Sequence, residues 1–156
     1  MADESFASRR AAMDYLAAAL PRATAENPVY KTLSDGSLSK WLTHEVRFGA
    51  DAHGATTIDM RESYTQEKGG KTVPGTHQAA FSLGDVEISE ATLPGDVTPD
   101  GKPAQAVMIA CVKPGCVAAV WSGQKSQSDK TDIYIHDGAT RAKILAALRY
   151  LKTGAE

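Results

Sequence analysis

Apolar positions recur at helical spacing near both ends of the chain and alternate with polar ones between. Near the N-terminus Phe6, Met13, Leu16, Ala17 and Leu20 fall at helical intervals, which predicts an amphipathic helix over residues 3–20. Asp3 or Ser5 is placed to cap its start, Glu4 lies near the positive end of its dipole, and Pro21 is expected to stop it. Residues 21–40, with Pro28, Asp35, Gly36 and several Ser and Thr, read as irregular.

From Trp41 the period changes to two. Residues 41–50 place Trp41, Thr43, Glu45 and Arg47 on one face, and Leu42, His44, Val46 and Phe48 on the other. Asp51, Ala52, His53 and Gly54 form a turn. Residues 55–65 follow as a second strand, with Ile58, Met60 and Tyr64 inward. A loop over 66–75, holding Gly69, Gly70, Pro74 and Gly75, leads to a third strand at 76–83. Gly84 and Asp85 signal a tight turn into a fourth at 85–93. Residues 94–103 are the clearest loop. The run 104–113 is apolar on both faces and is expected at the centre of the sheet. Pro114 and Gly115 turn it into a sixth strand at 116–123, residues 124–130 read as polar loop, and 131–136 as the seventh strand. Asp137 is placed to cap a final helix over 138–152, with Ile144, Leu145, Leu148 and Leu151 as its apolar stripe.

The order is therefore helix, seven strands, helix, without internal repeats. Short turns pair consecutive strands antiparallel. Seven strands exceed one flat sheet covered by one helix, so the expected fold is α+β, mainly β: a seven-stranded antiparallel barrel or two-sheet sandwich, capped by the C-terminal helix. Residues 1–156 read as one domain, with barrel and final helix in 41–152. This element order resembles the pleckstrin-homology-like barrel over 41–152. The resemblance implies a binding or scaffolding module and not an enzyme. Many members of that family grip phosphoinositides with Lys and Arg in the first hairpin turn. Here that turn has neither, and Asp51 repels a phosphate, so phosphoinositide binding is not carried over. The strand, C-x4-C, strand and helix ending also resembles small bacterial proteins of unassigned activity.

Charge adds only exclusions. The 17 Lys+Arg and 19 Asp+Glu give a formal net charge of −2, which removes an electrostatic case for nucleic acid or an anionic membrane. No apolar run approaches the ~18 residues of a membrane span. Arg9 and Arg10 ahead of residues 11–20, with Ala23, Thr24 and Ala25 after, superficially resemble a secretory leader. Asp14 in the apolar run, and Asp3 and Glu4 ahead of it, argue against one. A Met1 set before a mature start at Ala2 implies a periplasmic protein; otherwise the expectation is cytoplasmic.

Two cysteines, Cys111 and Cys116, have C-x4-C spacing, which fits neither the C-x2-C of zinc and redox motifs nor the four ligands of a structural zinc site. A disulfide and a pair of small core thiols remain. Proline at 114 suits a type I or II turn, so a four-residue loop over 112–115 is expected, which sets Cys111 opposite Cys116 across a hairpin.

Candidate chemistry is sparse. His44, His53, His77 and His136 show no i, i+2 or i, i+4 spacing, so no metal or other cofactor is expected. His136 beside Asp137 has the form of a base with an orienting carboxylate, but Asp137 sits where a helix needs its cap. No G-x-S-x-G occurs, Ser82 and Ser122 fall at strand ends, and thiols in apolar strands are unreactive. Lys68 and Lys71 flank one loop, and Lys125 and Lys130 another; a basic patch forms if the two loops meet at one rim. Trp121 reads as core, and Trp41 as core or the wall of a pocket. The leading expectation is a non-catalytic binding or interaction module. The alternative is a small-ligand carrier using the barrel interior, which requires a cavity of roughly 300 Å³ or more.

Overall fold

The computed structural model describes residues 6–26, 29–32, 38–68, 70–97, 103–135 and 137–153. Helix α1 spans Arg9–Glu26. Its cap is Ser8, whose hydroxyl accepts the Ala11 N–H at 3.1 Å; the expected caps Asp3 and Ser5 lie outside the described residues. Pro21 does not stop the helix but lies inside it. An internal proline costs about 3 kcal/mol. Burial on both sides of it offsets that cost: Ala12, Leu16, Ala19, Leu20 and Thr24 are all buried, while Ala17 is exposed.

The strands are β1 Val29–Thr32, β2 Leu38–Ala50, β3 Thr56–Lys68, β4 Lys71–Ser82, β5 Val86–Val97, β6 Pro103–Cys111, β7 Val117–Trp121, β8 Gln124–Ser128 and β9 Lys130–Tyr134. A 3-10 turn at Leu83–Asp85 separates β4 from β5, and helix α2 spans Gly138–Thr153. Every pairing is antiparallel, in the order β8-β7-β4-β3-β2-β1-β5-β6-β9. Two halves, β8-β7-β4-β3-β2 and β5-β6-β9, are joined through β1, which meets β5 at two positions among the described residues. The edge strands β8 and β9 are separated in the chain by Asp129 alone. The Asp129 carbonyl accepts the Cys111 N–H at 2.8 Å, and its carboxylate accepts the Gly115 N–H at 2.7 Å. The structure is thus α+β and mainly β, with its antiparallel strands in two groups; of the two arrangements expected, a barrel or a two-sheet sandwich, the closed barrel is not formed.

Where seven strands are expected over 41–136, eight are found among the described residues, β2 to β9. The added one is β8, read from the sequence as polar loop. It is an exposed edge strand without an apolar face, so periodicity cannot reveal it. The loop expected over 66–75 is instead the closing part of a long hairpin, in which Lys68 pairs with Lys71 across Gly69 and Gly70. Gly70 takes φ +78°, a conformation that glycine adopts without strain. Pro74 is tolerated because β7 pairs only with His77 to Ala80, which leaves this part of β4 at an edge. Strand β5 likewise continues to Val97, into the expected loop 94–103. Strand β6 is not central but lies between β5 and the edge strand β9.

Cys111 and Cys116 are joined by a disulfide, Cα atoms 5.6 Å apart. The hairpin inferred around them is absent. Cys111 pairs in the ladder with Val86, and β6 and β7 belong to different halves. The bond therefore staples the crossing between halves. Sequence turn chemistry sees only the local loop and not which strands compete for each edge.

Asp137 caps α2 as expected, accepting the Thr140 N–H at 2.8 Å. Ile144, Leu145, Leu148 and Leu151 are buried. They join Leu16 and Leu20 of α1 and Ile58, Met60, Leu83 and Ile109 in one core cluster. The Thr24 hydroxyl ties α1 to the sheet by accepting the Thr43 N–H at 2.9 Å. No helix among the described residues is long and apolar enough to cross a membrane.

Candidate functional site

The alternation of β2 breaks at His44. A bulge lies between Thr43 and Glu45, so Thr43 pairs with Glu62 while Glu45 pairs with Arg61. Ser39, Trp41 and Thr43 are buried before the bulge, and Val46 after it. The strict alternation of two faces expected over residues 41–50 therefore changes phase at the bulge, and the buried face is two half-faces. The first points Trp41 away from the helix-covered core, toward the space between the two halves of the sheet.

Register then assembles the neighbours. Glu62 pairs with His77, and His77 with Trp121, which forms one row across β3, β4 and β7. Two residues along, Trp41 pairs with Tyr64, and Tyr64 with Gly75. Trp41 stacks on Tyr64 with ring centroids 4.7 Å apart, and meets Trp121 edge-on at 5.6 Å and His77 at 5.5 Å. The His77 and Trp121 centroids lie 4.2 Å apart. His77 Nδ1 donates to Glu62 Oε1 at 2.9 Å, both side chains about nine-tenths buried. Among the described residues Nε2 of His77 has no hydrogen-bond partner. Trp41 Nε1 donates to the Ser39 hydroxyl at 2.6 Å.

The opposite wall comes from the bend between β8 and β9. Ser128, Lys130, Thr131, Asp132 and Tyr134 face Trp41, Glu62, His77 and Trp121 across a cavity of about 180 Å³. Asp132 is 91% buried at its side chain, and its Oδ2 lies 3.4 Å from the half-exposed Lys130 ammonium. Asp132 Oδ1 is the one buried side-chain polar atom among the described residues that no protein donor reaches.

Of the residues singled out from the sequence, Trp41 and Lys130 come together here. Trp121, read as core, instead lines this cavity at 37% exposure. Among the described residues Lys71 and Lys125 are not brought together. Lys71 sits at a hairpin tip, while Lys125 lies on β8 opposite Val120, whose partner on β4 is Gln78. Seven strand residues separate Gln78 from Lys71, about 23 Å. The backbone of Lys68 pairs with Lys71, and its side chain lies outside the described residues. His136 also lies outside them. His44 is exposed and bonds the Ser63 hydroxyl, and His53 is exposed in its turn. Ser82 and Ser122 serve turns: Ser82 donates to Asp51 Oδ2 at 2.6 Å, and the Ser122 hydroxyl accepts the Thr76 N–H at 3.2 Å. Reasoning from the sequence missed Glu62, His77 and Asp132 as a group. A two-residue hairpin at Gly69 and Gly70 would have placed Glu62 opposite His77, but no local signal points to Asp132.

Comparison of the chain with protein-family models, with curated proteins and with solved structures gives no match.

Proposed function

We propose that this chain is a non-catalytic binding module that takes a small ligand between the two halves of its sheet. One observation carries the reading: both tryptophans, the His77–Glu62 pair and Asp132 line one cavity. Aromatic walls with a few fixed polar groups are the usual make-up of a small-molecule site. A volume of about 180 Å³ lies below the ~300 Å³ asked of a carrier, so the occupant is small. Against nucleophilic catalysis by a thiol, both cysteines are committed to the disulfide. The disulfide also favours an oxidising compartment as the place of work.

Trp41 and Trp121 are the only tryptophans, so intrinsic fluorescence reports the site directly. A set of small cationic, neutral and anionic compounds should contain members that change this emission saturably, and Trp121→Phe should weaken their binding. No saturable change across the set would overturn the reading.

A further inference from the structure

We infer that the Cys111–Cys116 disulfide is a redox latch on the cavity wall: its reduction by a dithiol frees the corner between β8 and β9 and loosens the wall while the fold stands. The inference goes beyond the binding-module reading, because it concerns the wall and not its occupant. The bond meets that wall at both of its ends. Cys116 is followed directly by Val117, which pairs with Ser128, and both of these residues line the cavity. Cys111 ends β6, where its N–H donates to the Asp129 carbonyl at 2.8 Å and its Sγ lies 3.5 Å from the Ser128 carbonyl oxygen. The Asp129 carboxylate reaches back into the loop that the bond closes and accepts the Gly115 N–H at 2.7 Å. Asp129, the single residue between β8 and β9, is thus held by the disulfide loop from two sides. Its chain neighbours Ser128 and Lys130 both line the cavity.

With the bond closed, residues 112–115 tie β6, in one half of the sheet, to β7, in the other. With it open they are a flexible link, and the entropy of closing that link falls on the Asp129 hydrogen bonds. The main core does not depend on the bond: Ile144, Leu148 and Leu151 of α2 pack with Leu16, Ile58 and Met60, and the cysteines are partly buried neighbours of that cluster. The loosening therefore stays local to the corner. A small thiol can reach the bond, since Val112, Lys113 and Pro114 are exposed beside it. A thiolate of the dithiol attacks one cysteine sulfur, the S–S bond breaks, and the released cysteine takes up a proton. The second thiol of the reductant then displaces the other cysteine. Two electrons and two protons pass to the chain as two thiols, and the reductant becomes a cyclic disulfide.

The test treats the native, oxidised full chain with dithiothreitol at neutral pH, and thiol titration reports when the bond is open. Hydrogen exchange read by mass spectrometry follows residues 117–134 and 138–153 separately, and acrylamide quenching follows the two tryptophans. Two thiols should appear in the folded protein. Exchange over 117–134 should then rise about tenfold or more while that of α2 stays unchanged. Tryptophan quenching should rise with it, the far-ultraviolet spectrum should not change, and reoxidation should restore the starting values. The Cys111→Ser, Cys116→Ser double variant should show the reduced behaviour and ignore dithiothreitol; if it does not fold, the reduced and reoxidised wild type decides. Two thiols with an unchanged wall overturn the latch and leave the disulfide a structural staple. A bond that resists reduction in the native protein overturns it too, as does exchange that rises equally in α2, which is global unfolding. No ligand enters this measurement, so its failure is separate from failure of the binding-module reading, which the compound set decides.

Discussion

The ring of Tyr64 lies over its cross-strand partner Gly75: a Cβ built on Gly75 would come within 2.2 Å of Tyr64 Cζ. Glycine is required here by space and not by backbone conformation. The vacancy lets the ring lie flat and stack on Trp41 at 4.7 Å, which supports the aromatic wall of the pocket from behind. Gly75→Ala should push Tyr64 off Trp41 at a cost of roughly 1–3 kcal/mol. Near-UV circular dichroism should lose the stacked-ring signal, and urea unfolding should show the lower stability. An unchanged near-UV spectrum would contradict the packing account.

Asp51 organises the first hairpin turn and gives the fold an acid sensitivity. Its carboxyl is held below the ordinary value of 3.8, chiefly by the Ser82 hydroxyl at 2.6 Å and then by the His53 N–H at 2.8 Å. A carboxyl with a depressed folded pKa contributes stability that is present above its unfolded pKa and is lost as pH falls through the folded one. The contribution of Asp51 is thus present above about pH 4 and disappears below it. Asp51→Asn, which cannot ionise, should show a flatter dependence of stability on pH in that acid window. Urea unfolding of both proteins between neutral pH and pH 2.5 measures it, and parallel curves would remove Asp51 from the account.

The Cys111–Cys116 disulfide closes a short loop, which by chain entropy is worth about 2 kcal/mol. Other bonds also hold the crossing: the Val112 N–H donates to the Asp85 carbonyl at 2.9 Å, and Asp129 binds both Cys111 and Gly115. The Cys111→Ser, Cys116→Ser double variant should therefore keep its far-ultraviolet spectrum and melt roughly 4–8 °C lower. Thiol titration of the unfolded, unreduced wild type should find no free sulfhydryl. Two titrated thiols would refute the bond.

Local signals were sufficient wherever the deciding partner lies within a few residues. Helix α2 could be read from its stripe and from Asp137, because capping and 3.6-residue spacing are local. Residues Ile58 and Met60 were legible as inward for the same reason. Local propensity failed where remote burial outweighed it, as at Pro21, and where a strand carries no apolar face, as in β8. It failed at His44 because one extra residue in β2 reverses every later side chain, and only pairing with β3 shows which residue is extra.

The same division runs through the candidate site. By itself the sequence determined the strands on either side of one row but not their register: residues 66–75 read as a loop, whereas the pairing of Lys68 with Lys71, counted outward six residues, sets Glu62 opposite His77. Tertiary structure alone decided the rest. Trp121 reaches His77 only because β4 takes β7 as its second neighbour, and Asp132 faces them only because the chain bends at Asp129 from one half of the sheet to the other. Strand pairings between such distant segments are chosen by competition among all available edges for buried surface and hydrogen bonds, a choice that no short stretch of sequence encodes.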